Sequence, residues 1–148
     1  VKEYSWSIKG FFDDMDATKV GEELELLGDN ILPGRVVEVA KNENSEMHNY
    51  FEWDDAKAGQ EYRIIQARKI IGNLKVTIVK SEITEPIHVR AYVNTKRNTG
   101  YKNIEAVISN VDEYALLLSK AYKELTTIKE KYQQLEEIQE LLKDIPNE

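Results

Sequence analysis

The sequence contains no cysteine, and its only histidines are His48 and His88 among 148 residues. The absence of cysteine excludes disulfide bonds, thiol catalysis and thiolate metal ligands. Two histidines are too few for a histidine-rich metal site. The longest apolar runs, such as residues 115–118, are far too short to span a bilayer, and the first six residues lack the apolar core of a signal peptide. We therefore expect a cytoplasmic protein with no membrane partner and no cofactor.

The sequence also lacks the motifs that mark common catalytic sites. It has no phosphate-binding loop, no nucleophile elbow, no kinase signature and no histidine pair at helical spacing. Glu52, Asp54 and Asp55 lie close together, but they are more simply explained as a helix cap favoured by the helix dipole than as a metal site. We expect no enzymatic activity.

Charge is unevenly distributed along the chain, whose net charge is −7. Residues 1–60 carry a net −8, residues 61–103 a net +6 and residues 104–148 a net −5. The acidic total argues against simple coating of nucleic acid. A basic middle between acidic ends is nevertheless an asymmetry that favours a localised contact with an anionic partner.

Hydrophobic periodicity predicts a small helical domain over residues 1–102. Helices are predicted over residues 17–27, 33–41 and about 55–71, with Asp16 capping the first and Pro33 in the first turn of the second. The third has apolar residues on two opposite sides, which predicts that it is buried on both.

Alternating apolar residues at 74–79 and 87–94 predict two half-buried strands that pair as an antiparallel hairpin. Three helices followed by a hairpin is the order of a winged helix-turn-helix, in which one helix enters the major groove. Lys75 and Arg90 fall on the solvent faces of these strands, where phosphate contacts are possible. The predicted nucleic-acid-binding residues are Lys75, Lys80, Arg90, Lys96, Arg97 and Lys102.

The alternative is that these charges only keep one face of the domain soluble. Arg63, Arg68 and Lys69 of the predicted third helix point in different directions when projected on an ideal helix. A recognition helix should instead present one polar stripe, so this observation argues against DNA binding.

Residues 103–148 are predicted to be a C-terminal segment dominated by one long helix from Val111 to Ile145. Apolar residues recur there in alternating steps of three and four, the spacing of a coiled-coil seam. Glu124 with Lys129, and Lys131 with Glu136, form complementary pairs in the geometry of a parallel coiled coil. We expect self-association through this helix, the alternative being that it packs on its own domain. The predicted oligomerisation residues are Leu118, Ala121, Leu125, Ile128, Tyr132 and Leu135.

An acidic and aromatic run, HNYFEWDD, occupies residues 48–55. Such a run is a candidate binding surface, although it is more often core packing beneath the following helix. Together with the rest of residues 36–58, and with residues 62–63 and 66–68, it resembles a family of small uncharacterised phage and prophage proteins. That resemblance implies a viral or mobile-element origin, hence the host cytoplasm, and a role in association with DNA or a host protein. It supplies no catalytic residues.

The predicted fold is therefore α+β: a small helical domain with a two-stranded, winged-helix-like hairpin at residues 1–102, followed by a long coiled-coil-type helix within residues 103–148. The expected function is that of a non-enzymatic phage or prophage protein, dimeric or oligomeric, that binds duplex DNA. The alternative is a protein-binding or scaffolding module that contacts a host or phage protein.

Overall fold

A computed structural model of the chain describes residues 2–79, 85–96 and 100–147. The fold is mixed α+β, as the sequence predicts, and it divides into two compact units, Val1–Ala106 and Val107–Glu148. The strands are β1 (Tyr4–Trp6), β2 (Asn30–Ile31), β3 (Leu74–Ile78), β4 (Ile87–Arg90), β5 (Tyr92–Val93) and β6 (Tyr101–Asn103). The helices are α1 (Ala17–Glu25), α2 (Pro33–Ala40), α3 (Gln60–Asn73), α4 (Ile104–Ile108), α5 (Val111–Tyr132) and α6 (Glu136–Leu142).

The first two helices form where the sequence predicts them. The Asp16 carboxylate accepts hydrogen bonds from the backbone N–H groups of Thr18 and Lys19, which would otherwise be unpaired at the start of α1. Pro33 occupies the first turn of α2, where its missing N–H is not needed. Both helices bury an apolar stripe in the core of the first unit, comprising Val20 and Leu24 of α1 and Val36, Val37 and Ala40 of α2.

Helix α3 differs from its prediction in two ways. It begins at Gln60, because Asp54 caps a preceding turn instead: its carboxylate accepts from the backbone N–H of Ala56 and its carbonyl accepts from that of Ala58. The helix is also buried on one side only, so the prediction of two buried sides was wrong. Tyr62 and Ile65 are 49% and 48% exposed, whereas the opposite face is buried through Arg63, Gln66, Ala67, Ile70 and Ile71.

The strands of the first unit form two antiparallel sheets. The predicted pairing of β3 with β4 is present, but β1 adds a third strand, giving the order β1-β3-β4. The second predicted strand is interrupted at Ala91, after which β5 joins the other sheet, ordered β2-β6-β5. The inner face of the β1-β3-β4 sheet buries Tyr4, Leu74 and Val76.

The prediction of one continuous helix from Val111 to Ile145 was wrong, because the second unit contains two helices. Helix α5 is 22 residues long and ends at Tyr132, and Leu135 takes an extended conformation before α6 begins. The Lys129 Nζ atom donates a hydrogen bond to the carbonyl of Ile145 at 2.6 Å, so the chain reverses direction after α5. In the sequence, two consecutive apolar steps of three, from Tyr132 to Leu135 and from Leu135 to Ile138, interrupt the alternation at this break. The reversal buries Leu142.

We predict that two matched glycine substitutions have opposite effects on stability. A Cβ atom at Gly21 of α1 would overlap the ring of Tyr4, so Gly21→Ala should destabilise the fold by about 1–3 kcal/mol. At Gly34 of α2 the added Cβ would lie 3.7 Å from Ile64 Cδ1, an ordinary contact, so Gly34→Ala should stabilise by up to about 1 kcal/mol. Thermal denaturation of both variants measures the difference, and equal effects would contradict the tight packing of β1 on α1.

Candidate functional site

The exposed face of α3 carries one continuous stripe of side chains. Tyr62, Ile65, Arg68 and Lys69 follow one another at steps of three, three and one, and all four are exposed. Residues three or four apart lie on the same side of an α-helix, and Lys69 lies four residues after Ile65. The stripe therefore combines two half-exposed apolar side chains with two cations, and Glu61, four residues before Ile65, adds an exposed carboxylate at its N-terminal end.

The outer face of the β1-β3-β4 sheet is polar. Ser5, Lys75 and Arg90 lie directly across from one another on the three strands, and directly opposed residues of antiparallel strands share a face. In the neighbouring row, Thr77 Oγ1 lies 3.0 Å from His88 Nδ1, within hydrogen-bond distance. The face thus presents two adjacent cations beside hydroxyl and imidazole groups.

These two faces adjoin because α3 passes directly into β3, from Asn73 to Leu74, with no residue between them. The guanidinium of Arg90 reaches back over the end of the helix, where Nη2 would lie 3.4 Å from a Cβ built on Gly72. The junction is fixed further by Ser7, whose backbone N–H donates to the Asn73 carbonyl at 2.9 Å.

We call Arg68, Lys69, Lys75 and Arg90 the basic surface. None of the four forms an ion pair with another residue in the described parts of the chain. Within those same residues no carboxylate lies at ion-pair distance from the four cations, so their charge is available to an anionic partner.

Two of the remaining predicted nucleic-acid-binding residues, Lys96 and Lys102, do not lie on α3 or on the β1-β3-β4 sheet. Lys102 lies on β6 of the other sheet, opposite Asn30 and Val93, and is half-buried. Lys96 is exposed in the segment after β5. Lys80 and Arg97 lie outside the described residues. Conversely, the predicted set omitted Arg68 and Lys69, although their spacing from Tyr62 and Ile65 marks a single helical face.

Arg63, the third basic residue of α3, has a structural role. Its side chain is buried: Nε donates to the Glu52 carbonyl at 2.9 Å and Nη2 donates to Asp55 Oδ1 at 2.6 Å. Its guanidinium carbon also lies 5.3 Å from the centre of the Trp53 ring, a cation–π distance. The different directions of the three basic residues therefore do not argue against a contact surface, because only Arg68 and Lys69 face outward.

The acidic and aromatic run is organised around the same arginine. The indole N–H of Trp53 donates to the His48 carbonyl at 2.8 Å, and the two rings stack with centroids 5.3 Å apart. Phe51 is buried, as predicted for core packing, whereas Trp53 is only half-buried. The run thus forms one wall of the fold beside α3.

An open cavity of about 680 Å³ lies near the start of this run. Its lining includes Phe11, which is 59% exposed, together with Asp14, Glu43 and Tyr50. Among the described residues, no group of three or more histidine, aspartate or glutamate side chains is arranged to hold a metal ion. Carboxylate and aromatic side chains line the cavity, which we call the acidic recess.

The predicted oligomerisation residues fall into two groups. Leu118, Ala121, Leu125, Ile128 and Tyr132 lie on α5, and all of them are exposed. Leu135 lies beyond the end of α5, at the N-cap of α6, so it is not part of the same helix. The apolar seam is therefore confined to the 22 residues of α5.

Comparison with family models, with curated proteins and with solved structures finds no match for this chain. The resemblance to phage and prophage proteins stays a prediction. In the parts of the chain that the structure describes, no helix is long and apolar enough to cross a membrane.

We predict that Arg63 matters for stability far more than its ion-pair partner does. Arg63→Ala should destabilise the first unit by roughly 2–4 kcal/mol, because it leaves the Glu52 carbonyl without its donor and removes the contact with Trp53. Asp55→Asn should cost less than about 1 kcal/mol, since the Asp55 side chain is 83% exposed. Urea denaturation followed by tryptophan fluorescence measures both variants, and equal losses would mean that the ion pair dominates.

Proposed function

We propose that this protein is a non-enzymatic DNA-binding protein that contacts the duplex backbone through the basic surface. The observation that carries the proposal is the convergence of Arg68, Lys69, Lys75 and Arg90 at the junction of α3 and β3. Phosphate contacts supply most of the affinity of a protein for duplex DNA, and lysine and arginine side chains make most of those contacts. Four cations at one junction suit that role.

The order of the elements supports a winged-helix-like mode of binding. Helix α3 would present its exposed stripe to the major groove, and the β3–β4 hairpin that follows would lie against the backbone. Tyr62 and Ile65, at the N-terminal end of the stripe, are the side chains in position for apolar contacts with base edges.

The fold departs from the simplest helix-turn-helix in one respect. Residues 41–59 connect α2 to α3, whereas the motif joins its two helices by a turn of about three to four residues. Here that connection carries the acidic and aromatic run, and Trp53, Asp55 and the Glu52 carbonyl all contact Arg63 of α3. The long connection thus holds α3 in position and leaves the exposed stripe of α3 uncovered.

The net charge of −7 does not oppose this function. A basic surface that is smaller than the whole molecule attracts phosphates at short range, while acidic regions elsewhere limit non-specific adhesion. The expected consequence is binding that weakens steeply with added salt.

The acidic recess beside Phe11 favours a second candidate, a protein-binding module. Exposed aromatic side chains are enriched where protein partners bind, and the carboxylates of Asp14 and Glu43 would select a basic partner. This function would not depend on the basic surface, so the same variants separate the two candidates.

We predict that replacing all four residues of the basic surface by alanine flattens the salt dependence of DNA binding. Each lost phosphate contact should reduce the slope of log affinity against log salt by about one unit. Fluorescence anisotropy with a labelled random duplex, titrated at several salt concentrations, gives the slopes. Because these side chains are exposed or half-buried, the melting temperature should change little.

The matched control replaces four other exposed lysines by alanine, changing the net charge by the same amount: Lys9, Lys19, Lys57 and Lys123. Its slope should stay near that of the wild type. Equal slopes for the two quadruple variants would show that only net charge matters. Absence of binding by the wild type at low salt would refute the proposal and leave the protein-binding candidate.

A further inference from the structure

Helix α5 is amphipathic, and the described residues cover its apolar side only in part. The chain that folds back after α5 buries Leu142, and Pro146 lines a cavity together with Leu118 of α5. Helix α5 has 22 residues, about 33 Å of helix, and none of them is buried. Helices in water owe most of their stability to packing of an apolar face rather than to intrinsic propensity. A helix with this composition therefore needs a surface that covers it.

The apolar side chains of α5 follow the spacing of a coiled coil. Their steps alternate between four and three, and the large ones are between 38% and 46% exposed, so they form a continuous stripe. The stripe comprises Tyr114, Leu118, Ala121, Leu125, Ile128 and Tyr132. Such a stripe fits the same stripe of another helix, because side chains of each helix insert between those of its partner.

The charges beside the stripe indicate which helix that partner is. Glu124 and Lys129 flank the stripe on opposite edges and are five residues apart, too far round the helix to contact each other within one chain. In two parallel helices in register, Glu124 of one faces Lys129 of the other, and symmetry forms the pair twice. Lys129 Nζ donates one hydrogen bond to the Ile145 carbonyl, and an ammonium group carries two further donors.

We infer that α5 is a dimerisation helix, and that its occupant is α5 of a second copy of this chain, parallel and in register. The inference stands independently of the proposed DNA contact. The interface is shorter than the sequence alone indicates, because it ends at Tyr132, where the helix ends. Leu135 lies outside it.

The first test compares two leucines of equal exposure on opposite sides of α5. Leu125, in the stripe, is 39% exposed, and Leu116, nine residues earlier and half a turn away, is 38% exposed. Light scattering of the full chain should give the mass of two chains for the wild type and for Leu116→Glu, but of one chain for Leu125→Glu. A wild-type mass of one chain, or equal loss in both variants, would overturn the inference.

Both tryptophans, Trp6 and Trp53, lie in the first unit. Their fluorescence therefore reports whether that unit stays folded while the second unit is altered. Unchanged emission in Leu125→Glu is expected, so a fall in mass would reflect separation of the copies and not unfolding of the first unit.

The second test addresses the register through charge. Glu124→Lys and Lys129→Glu each place like charges opposite one another in a homodimer, and each should weaken dimerisation. When the two variants are mixed, every facing pair becomes attractive again, so the mixture should form a heterodimer detectable with one partner tagged.

The matched control for charge is Glu130→Lys, on the outer side of α5. It changes the net charge by the same amount as Glu124→Lys and should leave the mass at two chains. If the mixed variants stay separate, or if Glu130→Lys dissociates the protein as strongly, the parallel in-register pair is wrong.

Discussion

The buried contacts of Arg63, together with the apolar face formed by Ala67, Ile70 and Ile71, fix which way α3 faces. The guanidinium of Arg63 is held by the Glu52 carbonyl, by Asp55 and by the ring of Trp53, so the helix cannot roll about its axis without breaking all three contacts. A buried guanidinium is tolerated only when its donors are paired, which makes these contacts mutually dependent. With Arg63 fixed inward, the 100° step between residues places Arg68 and Lys69 outward, and the basic surface follows.

The two units carry different kinds of surface. The first unit has a packed core and an outer face on which cations gather at one helix–strand junction. The second has an apolar helix with no buried residue. A dimer formed through α5 would carry two basic surfaces, one on each copy.

Sequence rules that consider only neighbouring residues correctly predicted the helices and strands that are stabilised by neighbouring residues. The Asp16 cap and Pro33 placed the starts of α1 and α2, and alternation placed β3 and β4 in their observed pairing. Pairing of β1 with β3 joins residues about seventy positions apart, and periodicity holds no information on such a distant contact.

The candidate site was predictable only in part, for the same reason. Lys75 and Arg90 were placed correctly on the outer face by alternation, because that rule needs only the strand itself. The direction of Arg63 depends on Trp53 and Asp55, which lie in a separate loop, so a helical projection treated it as one of three equivalent cations. The end of α5 was not predicted for the same reason. The heptad pattern continues in the sequence past Tyr132 to Leu135, whereas the reversal of the chain depends on burial of Leu142 and on the hydrogen bond from Lys129 Nζ to the Ile145 carbonyl.

The direct passage from α3 into β3 fixes the length of the chain at that point. One extra residue between Asn73 and Leu74 would turn the helix by about 100° relative to the sheet, or would move Lys75 to the opposite face of its strand. Either change would separate the helix cations from those of the strands. Among descendants of this sequence, insertions and deletions should therefore be excluded from this junction.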